Sequence, residues 1–74
     1  MSDKRNKFIG LAENRVDKTI KYIDLIGNLS NRNNYEYSQE DIDKIFKHVE
    51  RALAASKSRF SEQLKSNKNA SFKL

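Results

Sequence analysis

The sequence predicts an all-α chain, an antiparallel two-helix hairpin that assembles as a four-helix bundle or higher oligomer. Three observations carry this expectation. Two long segments repeat apolar residues at helical spacing, the 74 residues contain no proline and only two glycines, and one asparagine-rich segment separates the two.

The first helix is expected over residues 6–27. At about 100° per residue, Phe8, Ile9, Ala12, Val16, Ile20, Ile23 and Ile26 fall on one stripe, as an amphipathic helix requires. Only Gly10 interrupts it. Gly27 and Asn28 are residue types that adopt the left-handed conformation at a helix C-terminus, so the helix is expected to stop there. A loop over residues 28–38 follows, rich in side chains that bond to local backbone.

Ser38 then stands three residues before Asp41, a start signal close to the capping box, and Glu40, Asp41 and Asp43 place negative charge on the positive end of the helix dipole. The second helix is therefore expected over residues 39–65. Its stripe consists of Ile42, Ile45, Phe46, Val49, Leu53, Phe60 and Leu64, interrupted by Ser56. Residues 1–65 form the hairpin in this reading. Residues 66–74 carry mostly Ser, Asn and Lys and are expected to be a flexible basic tail.

A single hairpin of this size buries about 60% of its unfolded surface and is marginal alone. The first helix carries a second apolar line, Leu11, Tyr22, Leu25 and Leu29, that the hairpin does not consume. These residues are the expected oligomer interface, with a dimer as the simplest assembly. Scattered surface apolar residues are the competing account.

Charge is distributed unevenly. The total of +5 splits into +2 over residues 1–7, −2 over residues 8–50 and +5 over residues 51–74. In a hairpin Lys4, Arg5, Lys7, Lys57, Arg59, Lys65 and Lys68 gather at the open end as a basic cluster suited to phosphate. Antiparallel pairing of hairpins uses the same polarity without any ligand.

Several function classes lack their parts. There is no cysteine, His48 is the lone histidine, and neither a zinc spacing nor a Gly-rich phosphate loop occurs, so no catalytic residue, metal or cofactor is expected. No apolar run approaches the roughly 20 residues that span a bilayer, and no export signal is visible, so a cytoplasmic protein with no membrane partner is expected. The segment best equipped to bind is Asn31, Arg32, Asn33, Asn34, Tyr35 and Tyr37. Arginine offers a planar fork for phosphate, asparagine both donors and acceptors, tyrosine a stacking face, and the start of the second helix free N–H groups. The same residues suit helix capping and closure of the hairpin end, and both readings stand at this point.

The stretch Ile26-Gly27-Asn28-Leu29-Ser30-Asn31-Arg32, with Tyr35-Glu36-Tyr37-Ser38 and Lys44-Ile45-Phe46, resembles a group of short bacterial and mobile-element helical-hairpin proteins. The resemblance covers roughly residues 7–60 and implies no activity. In shape the hairpin is similar to the dimeric RNA-binding plasmid regulators of the Rop type, without a shared motif. The expected function is a self-associating, non-enzymatic protein that captures a nucleic acid or a nucleotide. The alternative is a regulator that holds a protein target, such as a phage or mobile-element inhibitor or adaptor.

Overall fold

The computed structural model describes residues 2–70, of which 66–70 are described by backbone alone. The fold class is all-α, with two long helices and no strand among the described residues. The chain divides into two units, Met1–Glu36 and Tyr37–Leu74, each built on one of those helices.

In the first unit, α1 spans Asp3–Gly27 and begins three residues earlier than apolar spacing predicts. The reason is Ser2. Its backbone is extended, its Oγ accepts from the Arg5 N–H at 3.1 Å, and its carbonyl accepts from the Asn6 N–H at 3.0 Å. This N-cap satisfies donors that the first turn otherwise leaves open, and Asp3 complements the dipole. A stripe-based reading misses such a turn because Asp3, Lys4 and Arg5 add nothing to an apolar face.

α1 ends at Gly27 as expected, but without the left-handed conformation expected there. Gly27 (φ −59°, ψ −31°) and Asn28 (φ −65°, ψ −18°) are both right-handed, and no described residue has positive φ. The Asn28 N–H still bonds to the Asp24 carbonyl, and the chain tightens into a 3₁₀ turn over Asn28–Ser30. Asn31 supplies the stop. It turns extended (φ −67°, ψ 103°), its Oδ1 accepts from the Asn33 N–H at 2.9 Å, and its carbonyl accepts from the Asn34 and Tyr35 N–H groups at 3.1 and 3.0 Å. A side-chain-closed turn of this kind ends a helix without a left-handed residue.

In the second unit, α2 spans Gln39–Ala70, starting at the expected residue. The Asp41 N–H donates to Ser38 Oγ at 3.2 Å while the Ser38 N–H donates to Asp41 Oδ2 at 2.9 Å, so the capping box is closed in both directions. Gln39 Nε2 adds a bond to Asp43 Oδ1 at 2.9 Å. The helix continues five residues beyond Lys65 into the segment expected to be a flexible tail. Ser66 to Ala70 contain no Gly or Pro, and a helix already nucleated by many turns extends readily through residues of middling propensity. The remaining four residues of the expected tail, 71–74, lie outside the described residues.

No described residue is fully buried in the single chain. The least exposed are Ile9, Ala12 and Ile26 on α1, Tyr37, and Ile42 and Val49 on α2. All but Tyr37 belong to the two stripes read from the sequence. The rest of each stripe stands in solvent, with Val16 57%, Leu53 65% and Phe60 61% exposed.

Candidate functional site

The asparagine-rich segment is organised by Asn31, whose side-chain oxygen and carbonyl hold the turn that precedes Tyr35. That gives Asn31 a structural task, with Asn33 and Asn34 contributing the backbone N–H groups it accepts. Arg32, Asn33, Asn34 and Tyr35 are exposed in the first unit, whereas Tyr37 is half-buried and belongs to the second. Tyr35 retains 49% exposure.

At the start of α2 the chain already uses part of what the sequence offered to an anion. The Ser38 and Asp41 N–H groups are both taken by the capping box. The carboxylates of Glu40, Asp41 and Asp43 crowd the same turn, so a phosphate meets like charge there. Asp41 itself is held below the usual carboxylate range, first by the Ser38 backbone N–H, then by the Ser38 hydroxyl, with Lys44 adding a smaller attraction against a small opposing desolvation. The acidic residues of this first turn complement the helix dipole.

His48 and Thr19 are likewise turned back on their own helices. His48 Nδ1, in the tautomer that carries the proton there, donates to the Lys44 carbonyl at 2.9 Å, and Thr19 Oγ1 donates to the Arg15 carbonyl at 2.7 Å. Among the described residues no group of His, Asp and Glu side chains is arranged to hold a metal ion. A shallow open hollow lies along α1, lined by Ala12, Glu13, Val16 and Asp17. No helix is long and apolar enough to cross a membrane, among the described residues.

The basic residues named from sequence lie on both long helices. On α1, Lys4 and Lys7 stand one turn apart on the same face while Arg5 lies to one side of them, its guanidinium 5.7 Å from the Phe8 ring centroid, a cation–π distance. On α2, Lys57 and Arg59 flank opposite edges of the apolar stripe while Lys65 points away from it. A different basic line emerges on α2. Lys44, Lys47 and Arg51 stand at spacings of three and four on the face opposite the stripe, followed along that face by the small residues Ala54, Ala55 and Ser58 and then by Lys65. Glu40 precedes this line, and Glu62 interrupts it between Ser58 and Lys65. Counting charge by chain region overlooked it, because Lys44 and Lys47 fall in the region of net negative charge. A wheel of the basic residues alone finds it.

The expected interface residues Leu11, Tyr22, Leu25 and Leu29 are all exposed on the first unit, Tyr22 most of all at 64%. Leu11, Tyr22 and Leu25 sit on a flank of α1 separate from the Ile/Val stripe, and Leu29 lies in the 3₁₀ turn that follows.

Comparison with known proteins yields no relatives: no protein family, curated protein or solved structure shows significant similarity to this chain. Functional argument therefore starts from the residues themselves.

Proposed function

We propose that the chain is a non-enzymatic binding protein that associates with copies of itself and holds a phosphate-bearing polymer, nucleic acid, on the basic face of α2. The observation that carries this reading is the two-sided character of α2: Lys44, Lys47 and Arg51 on one face, Phe46, Val49, Leu53 and Phe60 on the other. The exposed apolar side favours association, since burial of apolar area is the main stabilising term open to so small a chain. The opposite side stays in solvent, where lysine and arginine release counterions from phosphate. The small residues beyond Arg51 let a backbone of either kind approach the helix closely. Nucleic acid is preferred over a free nucleotide because the cations form a line and because Glu40, Asp41 and Asp43 place like charge where a single phosphate would sit at the start of α2.

The test is fluorescence anisotropy of labelled single- and double-stranded oligonucleotides across a salt series. Binding that falls steeply with salt, and a slope reduced by about one unit for each cation removed in Lys44→Gln, Lys47→Gln and Arg51→Gln, is expected. Undetectable binding at low salt, or affinity indifferent to salt, refutes the reading.

The exposed flank Leu11, Tyr22, Leu25 and Leu29 favours a second reading, a regulator that grips a protein target. Leu25→Gln in a form that keeps its oligomeric state abolishes target binding in this case and leaves nucleic-acid affinity unchanged.

A further inference from the structure

We infer that α2 pairs antiparallel with α2 of a second copy, in a single register whose midpoint is Arg51. This rests on the self-association proposed above and adds which helix makes it and how the two copies align.

The apolar positions of α2 set the register. Ile42, Phe46, Val49, Leu53 and Phe60, with Ser56 in the gap, follow one another at alternating steps of four and three, the spacing of a coiled-coil seam, with Ile45 and Leu64 at its edges, and α2 is unbroken across all of them. These positions are symmetric about Arg51. Reversing a second helix across that point sets Ile42 against the partner's Phe60, Phe46 against the partner's Ser56, and Val49 against the partner's Leu53. Each large ring thereby meets a smaller side chain, as layers that interdigitate require. Ser56, an interruption when the stripe is read alone, becomes the space that Phe46 fills. Sliding one heptad in one direction leaves Phe60 outside the seam, and sliding in the other sets Phe46 against the partner's Gln63.

Charge selects the same arrangement. The first turns of α2 hold Glu40, Asp41 and Asp43, and its later turns hold Lys57, Arg59 and Lys65 against Glu62 alone. A parallel pair stacks like on like at both ends, while an antiparallel pair brings opposite charges together. Along one edge of the seam Asp43 lies beside the partner's Lys57, twice by symmetry. Along the other edge Ala52 meets the partner's Ala52, which lets the helices approach closely at the midpoint. Glu50 meeting the partner's Glu50 is the one unfavourable pair. The exposure of Leu53 and Phe60 in the single chain, 65% and 61%, is the surface that this pairing covers.

The register can be read as a ladder of distances. The chain has no cysteine, so single cysteines at the outward positions Lys44, Arg51, Ser58 and Lys65 can carry nitroxide labels without touching the seam. Inter-label separation along the axis grows by about 3 Å for each residue away from the midpoint, because both copies shift by about 1.5 Å in opposite directions. Pulsed EPR of each labelled protein, without nucleic acid, is expected to give its shortest distance at position 51, equal and longer distances at 44 and 58, and the longest at 65. Equal distances at all four positions mean a parallel pair and overturn the inference. A dimer whose distances have no minimum at 51 overturns the register and leaves self-association standing, whereas a monomer removes both. A second measurement uses charge: Asp43→Lys and Lys57→Asp each weaken the dimer about fivefold, and the double variant regains the loss. Failure of the double variant to recover refutes the pairing even where a labelled variant folds poorly.

Discussion

Replacing Leu53 with glutamine removes one seam side chain while keeping the helix, because leucine and glutamine have close helix propensities. Complete burial of a leucine side chain contributes about 1.5–3 kcal/mol. In the single chain 65% of Leu53 is still open to solvent, so that share remains to be gained on assembly. This amounts to about 1.5 kcal/mol per copy and about 3 kcal/mol per dimer, a dissociation constant raised on the order of a hundredfold. Sedimentation equilibrium across a concentration series measures it, with Ala55→Gln on the outward face as the control that leaves the constant unchanged. Far-UV circular dichroism at a concentration where both variants are dimeric verifies that the helix persists. A Leu53→Gln protein that dissociates at the same concentration as the parent refutes the role given to the seam.

Three further predictions concern the helices themselves. Ser38→Ala opens the capping box and costs about 1 kcal/mol, seen as faster amide exchange in the first turn of α2 with the later turns unaffected. The carboxyl of Asp41 is depressed in the folded chain, so its contribution is complete above its ordinary value of 3.8 and is lost as pH falls through the lower folded value. An NMR titration should place the Asp41 midpoint below 3.8 and return it toward 3.8 in Ser38→Ala. Gly10→Ala stabilises α1 by about 0.5–1 kcal/mol, since a β-carbon there meets nothing within 4 Å and glycine costs backbone entropy. A rise in melting temperature is the expected readout, and a fall places Gly10 inside a close contact between copies.

Much of the architecture was legible because it depends on spacing and on one local signal. The stripes of α1 and α2 follow from the positions of their isoleucines, leucines and phenylalanines, and the start of α2 follows from Ser38 and Asp41, whose reciprocal bonds need no tertiary context. The boundaries that escaped the sequence are those without an apolar marker. Ser2 extends α1 through three polar residues, and Ser66 to Ala70 continue α2 because nothing in them stops it. Gly27 marks the end of α1 as read, but not by the expected conformation: glycine permits a left-handed end without imposing one, and Asn31 closes the turn instead. Of the candidate site, the composition of the loop was visible, but the use of its parts was not. Whether an asparagine oxygen or a helix N–H is available depends on hydrogen bonds that composition does not reveal, and here Asn31 and the Asp41 N–H spend theirs internally.

The proposed assembly and the proposed binding are carried by one helix, and this ties them together. Antiparallel pairing through Phe46, Val49 and Leu53 turns Lys44, Lys47 and Arg51 of both copies outward on a single object, doubling the cations available to one polymer. A nucleic acid long enough to reach both faces therefore binds the dimer more tightly than the monomer, by the gain of a second contact at high effective concentration. Reciprocity follows: whatever the dimer adds to nucleic-acid affinity, bound nucleic acid adds to dimer stability. The acidic first turn of α2 has a part in this as well. Each copy's Asp43 sits beside the partner's Lys57 at the seam edge, so the charge neutralised by assembly lies away from the outward lysines, and the basic faces lose none of their field when the two copies meet.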